Sequence, residues 1–227
     1  MAPEEAAEED RADDSAPRDA AEAGLERPLR LHDLRLDTVA EILAEAGAAS
    51  VADLGCGDGK LLARLVRDGR FARLVGLDLS ARSLQAAAAR LKLDRAGGPA
   101  EGRVALLHGA LTYRDARWHG VDAAVLAEVV EHLDADRLPA LAAAVFGAAR
   151  PRTVVVTTPN AEYNALFPAL PAGAFRHPDH RFEWTRAEFR AWAAGIGERH
   201  GYRAVHSGIG GAHPDLGAPT QMAVFAR

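Results

Sequence analysis

Ser50-Val-Ala-Asp-Leu-Gly-Cys-Gly-Asp-Gly59 decides how the chain reads. A short apolar strand, Ser50 to Leu54, runs straight into glycines at 55, 57 and 59. Lys60 to Arg70 then carries Leu61, Leu62, Leu65 and Val66 at helical spacing. A glycine turn between a strand and a helix start lets backbone approach a ligand closely. The dinucleotide fingerprint asks for a further glycine at position 60, and Lys60 stands there. Outward from this unit the pattern alternates. A helix over Leu29–Ala48 precedes it. A second strand, Arg73–Leu77, ends at Asp78. Ser80 can cap a helix over 81–95, and Gly97-Gly-Pro99 separates it from a third strand, Val104–His108. Val121–Leu126 and Thr153–Thr157 read as further strands, with a helix over Asp134–Ala149 between them. A long loop, Pro159 to about Glu183, follows, and such loops tend to be functional or disordered. Thr185 and Glu188 form a capping-box pair for a helix reaching Arg199. Tyr202–His206 and Met222–Phe225 can close the sheet as a strand pair. Alternating strands and helices predict a mostly parallel α/β sheet with ligands beyond the strand carboxyl ends.

With 227 residues and 48% hydrophobic content, the chain suits one domain with a tail. No apolar run approaches the ~18 residues of a membrane helix, and the acidic start lacks the features of a signal peptide. Cys56 is the only cysteine, which excludes an intrachain disulfide and a cysteine-rich zinc site. The expectation is a cytoplasmic protein without membrane contact. The net charge of −5 divides unevenly. Residues 1–27 hold ten acidic and three basic side chains, a net of −7, so the remainder carries +2. Residues 1–27 are expected to be a disordered acidic tail or linker, and 28–227 to be the folded domain. A near-neutral domain neither supports nor excludes binding an RNA end.

The G-x-G-x-G turn, with Asp53 before it and Asp78 ending the next strand, resembles the S-adenosylmethionine loop of class I methyltransferases. That resemblance implies a Rossmann-like fold, a mostly parallel seven-stranded sheet with helices on both faces. It also implies cofactor contacts from Asp53, Gly55, Cys56, Gly57, Asp78, Leu79, Ala110 and Leu111. Asp78 would accept the ribose hydroxyls, as acids at that position do in related folds. Cys56 reads as filler between glycines.

After the fourth strand comes Glu128-Val-Val-Glu-His132. If these residues open a helix, Glu128, Glu131 and His132 share one face. Two carboxylates and an imidazole suit Mg²⁺ or Mn²⁺ better than a structural zinc. A solvated acidic helix start fits the same residues. The chain adds Thr158-Pro-Asn160, Glu162-Tyr-Asn164 and Phe175-Arg-His-Pro-Asp-His-Arg-Phe-Glu-Trp-Thr-Arg186. Together, these motifs resemble the Hua-enhancer family of small-RNA 3′-terminal ribose 2′-O-methyltransferases, including its bacterial RNA-repair branch. Pro28-Leu-Arg-Leu-His-Asp33 looks like the bacterial members, and the resemblance runs from about Leu29 to Arg227.

The resemblance implies methyl transfer from S-adenosylmethionine to the 2′-OH of the 3′-terminal ribose of RNA. One divalent ion, manganese or magnesium, would be held by Glu128, Glu131, His132 and His180, and Glu131, His132 and His180 would form the catalytic group. The general base is open between His132 and His180. His177 stands at a position the family does not require. Arg176, Arg181, Arg186 and Asn160 are candidate RNA contacts. Asn160 and Asn164 either line the pocket or shape the loop, and Phe182 and Trp184 either stack on a base or pack in the core. The implied partners are an RNA 3′ end, with no DNA, and an RNA kinase–phosphatase–ligase repair protein. Three other functions stay open: a small-molecule class I methyltransferase, a non-catalytic RNA-end-binding module, and a metal hydrolase. The last leaves the glycine loop unexplained.

Overall fold

The computed structural model describes residues 22, 24–26, 30–95, 97, 98 and 100–227. Its frame is a seven-stranded sheet in the order β3-β2-β1-β4-β5-β7-β6. The strands are β1 (Ser50–Leu54), β2 (Arg73–Asp78), β3 (Val104–His108), β4 (Ala123–Ala127), β5 (Thr153–Pro159), β6 (Arg203–Ile209) and β7 (Thr220–Ala226). β1 to β5 pair in parallel, and β7 inserts antiparallel between β5 and β6. The apolar runs of the central strands have the composition expected of strands covered on both faces.

Side chains alternate across the sheet, so each face has its own cover. Val51, Leu74, Val125 and Val155 meet α1 (Leu31–Glu45), α2 (Lys60–Leu65) and α3 (Ala81–Leu91) through Val39, Leu43, Leu62 and Leu84. Leu54, Leu77, Leu126 and Val156 meet α4 (Leu138–Ala142) and α5 (Arg186–His200) through Leu141, Phe189 and Ile196. Thr185 caps α5 with the reciprocal Glu188 contact, as its spacing predicts.

Strand order reverses between β1 and β4, which places the crevice at their carboxyl ends. The chain leaves β4 differently from the expected helix. Residues 128–132 do not open an α-helix. Glu128 takes a left-handed φ of 54°, and only Val130–His132 winds, as a 3₁₀ turn. The Glu128 N–H is drawn back to the Thr157 carbonyl at 3.1 Å and its hydroxyl at 3.1 Å, so the backbone bends toward β5 instead of coiling. Likewise, the single helix expected over 134–149 is a 3₁₀ turn, then α4, then a π-helical stretch at Ala143–Ala149. Pro139 fixes the start of α4. The loop after β5 contains a 3₁₀ helix, Ala161–Leu166, capped by Asn160. Among the described residues, no helix is long and apolar enough to cross a membrane.

Candidate active site

Gly55 lets β1 turn into the crevice. It has φ 81°, and a Cβ there would lie 2.7 Å from Val129 Cγ2. Asp78 ties down the far side of the loop: its Oδ2 accepts the Gly57 N–H at 2.8 Å and its Oδ1 accepts the Ser80 N–H at 2.8 Å. The cavity in front is about 610 Å³, and Gly55, Asp78, Leu79, Ala110 and Leu111 line it, joined by Glu128, Val129 and His132. Five of the eight expected cofactor residues therefore face one cavity, which also touches the carboxylate–histidine stretch. Asp53, Cys56 and Gly57 do not line it. Asp53 is buried beneath the loop, where loss of water and then the Asp78 charge raise its carboxyl to about 7. Cys56 is buried, and burial pushes its thiol far above the usual range.

At the ends of β4 and β5, two threonines aim the two glutamates. Thr157 Oγ1 donates to Glu128 Oε1 at 2.8 Å, and Thr158 Oγ1 donates to Glu131 Oε2 at 3.0 Å. Glu131 is fully buried, and its Oε1 has no hydrogen-bond partner among the described residues. Desolvation, and then the Glu128 charge, hold the Glu131 carboxyl well above its ordinary value. Burial raises Glu128 too, opposed by Arg35, whose guanidinium lies 3.1 Å from Glu128 Oε2.

The long loop delivers the histidines. Its Arg181 N–H bonds the Glu131 carbonyl at 2.8 Å, fastening the loop to the 3₁₀ turn. One ring nitrogen from each of His132, His177 and His180 falls within 4.8 Å of the others. Hydrogen bonds separate their roles. His180 Nδ1 meets Glu183 Oε1 at 2.6 Å, which puts the proton on Nδ1 and leaves Nε2 a lone pair. His177 Nδ1 accepts from the Asp179 N–H at 3.0 Å, so a neutral His177 carries its proton on Nε2 and offers a donor instead. The sequence leaves His177 out of the ligand set, and the structure brings it into the histidine cluster. His132 has an open rim, yet its dry inner side and the two neighbouring histidines push it down to about 4.

Two expected RNA contacts, Arg176 and Asn160, are corrected here, because both are buried. Arg176 is 2% exposed; it gives its Nε to Asn164 Oδ1 and its NH2 to the carbonyls of Asn160 and Pro219. It braces the loop that carries the histidines, and buried carbonyls take the donors a phosphate would need. Arg186 is committed to Glu162 and to the Asp215 carbonyl. Asn160 is buried and bonds the carbonyls of Leu216 and Ala218, so it shapes the loop, as Asn164 does. Arg181, 3.5 Å from Asp134, and Arg186 keep exposed side chains. Phe182 and Trp184 pack on each other, and Trp184 stacks on Phe189.

Sequence reasoning missed four participants. Glu183 collects His180 Nδ1, the Arg176 N–H and Asn164 Nδ2 on one carboxylate. Burial would raise it, but those hydrogen bonds hold it below its ordinary value. Arg35 donates to both oxygens of Glu26, at 3.0 and 3.1 Å. Glu22 and Glu26, read as tail, lie in helical backbone against the domain, and one oxygen from each joins Glu128 within 4.8 Å. Burial, then Glu26 and Glu128, raise Glu22 to about 7. The other residues of the expected tail, 1–21, 23 and 27, lie outside the described residues.

A seven-stranded sheet with one antiparallel insertion, a glycine-lined cavity at the switch point and an acid closing β2 defines a class I methyltransferase. A family model described as a methyltransferase domain matches residues 52–155. The methyltransferase domain of bacterial CtHen1 is 44% identical at a TM-score of 0.80, covering 87% of this chain and all of that one. The small RNA 2′-O-methyltransferase of Mus musculus is 37% identical over 204 residues, which span 87% of this chain and 51% of that protein. The Arabidopsis thaliana protein of the same name is 32% identical over 210 residues, 85% of this chain and 22% of that protein. The chain belongs to the Hen1 family of small-RNA 2′-O-methyltransferases. It spans about half the length of the Mus musculus and Rattus norvegicus relatives it matches. The fold recurs, at 24% identity and a TM-score of 0.66, in a chain of the Pnkp1/Rnl/Hen1 RNA repair complex.

Proposed function

We propose that this chain transfers a methyl group from S-adenosylmethionine to the 2′-OH of the 3′-terminal ribose of RNA, with one divalent ion, manganese or magnesium, in the site. The observation that carries this is a cavity that runs from the cofactor loop at Gly55 and Asp78 to Glu128 and His132, where His177 and His180 bring a ring nitrogen each within 4.8 Å of one on His132. A small-molecule methyltransferase needs the cavity but gives no reason for that cluster. An RNA kinase–phosphatase–ligase repair protein as partner, and a cytoplasmic setting, follow from the family resemblance and the chain's character alone.

The residues fit a divalent ion. Glu131 Oε1 is a buried oxygen without a partner, and His180 Nε2 holds a lone pair fixed by Glu183. With His132 and Glu128 these would make a mixed oxygen and nitrogen donor set of the kind manganese and magnesium accept, although the described residues divide them, His132 and His180 grouping with His177 and Glu128 with Glu22 and Glu26. When bound, the cofactor supplies an electrophilic methyl and the ion lowers the pKa of a hydroxyl. The rest falls to the protein. Asp78 and the Gly55 turn would hold the cofactor, and Leu111, Val129 and Leu133 give the same cavity an apolar wall that would limit water. His180 donates its Nδ1–H to Glu183, and the exposed rim at His132 would let the hydroxyl proton leave to solvent. Holding nucleophile and methyl in line supplies much of the rate. Selection of the RNA end by ribose hydroxyls needs no base readout.

The test is chemical. RNA treated with the protein and cofactor, then with periodate and base, should keep its 3′ nucleotide, because a 2′-O-methyl group removes the oxidisable diol. Loss of that nucleotide at the rate of untreated RNA would reject the assignment.

A further inference from the structure

Glu22 stands in an odd relation to His180. Its Oε1 is 4.0 Å from His180 Nε2, the ring nitrogen left with a lone pair, and that is too far for a hydrogen bond. Donors on one octahedral ion at about 2.1 Å lie about 3.0 Å apart when adjacent and about 4.2 Å when opposite. The gap therefore matches two ligands of one ion with the ion between them. Glu128 contributes an oxygen within 4.8 Å of those of Glu22 and Glu26.

A count of donors reaches the same place independently. Glu22, Glu26, Glu128 and Glu131 crowd together with Arg35 and with Arg176, whose NH1 is 3.7 Å from Glu26. Four carboxyl groups share two guanidiniums in a largely buried space, an excess of oxygen donors that one divalent ion can take up. The unpartnered Glu131 Oε1, fully buried, is a third pointer to a missing positive partner.

We propose that Glu22 is a further protein ligand to the divalent ion in the RNA-free protein, and that the terminal ribose of the substrate must displace it. This rests on the metal-dependent reading of the site given above. Glu22 would reach the ion from the side opposite His180, and a ribose coordinated there needs the same position. The segment that carries Glu22 thus strengthens the ion's hold before RNA arrives and competes with RNA afterwards.

The experiment titrates Mn²⁺ into the full chain, following the free-ion EPR signal, for the wild type, Glu22→Gln and Glu41→Gln. Glu41 lies on the exposed side of α1 and removes the same charge away from the site. Glu22→Gln should bind Mn²⁺ at least about tenfold more weakly without RNA, while binding a 3′-diol RNA oligonucleotide several-fold more tightly in the presence of saturating Mn²⁺. S-adenosylmethionine binding, measured alongside, reports that the variant is folded. Equal Mn²⁺ affinity in wild type and Glu22→Gln would overturn the proposal, as would equal losses in Glu22→Gln and Glu41→Gln. Absence of Mn²⁺ binding by the wild type would instead defeat the metal-dependent reading beneath it.

Discussion

Replacing Glu183 with Gln keeps the shape of the side chain and removes its charge, so its consequences can be worked through atom by atom. The carboxylate receives three donors: His180 Nδ1 at 2.6 Å, the Arg176 N–H at 2.7 Å and Asn164 Nδ2 at 2.5 Å. An amide has one acceptor oxygen. If that oxygen keeps His180 and Arg176, the new NH₂ faces the Asn164 amide; the opposite rotamer faces it toward His180. Asn164 cannot simply turn over, because its Oδ1 already accepts from Arg176 Nε. One buried donor is left facing another, at about 2 kcal/mol, or roughly 4–8 °C of melting temperature for a domain of this size. The second effect is on the ion. Loss of a carboxylate behind a metal-bound histidine lowers metal affinity about 10–100-fold, or about 1.4–2.7 kcal/mol. Calorimetric titration of Mn²⁺ and a thermal melt, run on the same samples, read both effects. A lower melting temperature with unchanged Mn²⁺ affinity would refute the reasoning, because Glu183 would then brace the loop without orienting His180.

Asp53 gives a pH test. Burial raises its folded value from 3.8 to about 7, so the folded state binds the extra proton and stability falls as pH rises across that window. Asp53→Asn removes the titration, and its melting temperature relative to wild type should climb between pH 4 and 7 and level off above; a constant difference would count against a buried, proton-holding Asp53. Gly55→Ala forces a Cβ into Val129 at a positive φ, so S-adenosylmethionine binding by calorimetry should be lost while the melt stays cooperative, and retained affinity would show that the turn is not the cofactor seat. Cys56 should resist iodoacetamide at pH 8 in the native protein and react fully in urea, since burial keeps the thiol protonated; mass spectrometry of alkylated native protein would show otherwise.

The legible part of this chain was local. The Gly55–Gly59 turn, Asp78 and the Thr185 cap each declare themselves within a few residues, and strand–helix alternation then dictates the sheet. The reach from Glu131 and His132 to His180 came from motif resemblance alone, because the Arg181–Glu131 backbone bond that joins them crosses fifty residues of chain. Arg176 shows the opposite failure: sequence gives its charge, and only the fold reveals that carbonyls of Asn160 and Pro219 have claimed it. Glu183 sat in plain view three residues after His180, a spacing compatible with carboxylate–histidine pairing. Arg35 and Glu22 had no such signal. Arg35 read as one polar position on α1, and Glu22 as one acid in an acidic run.

The central claim is tested most directly by incubating the protein with methyl-labelled S-adenosylmethionine and short RNAs ending in a 3′ diol, a 2′-deoxy sugar or a 3′-phosphate, each with Mn²⁺ and with EDTA. The account predicts label on the diol RNA alone, and only with the metal. Label on the 2′-deoxy RNA, or undiminished transfer in EDTA, would contradict it.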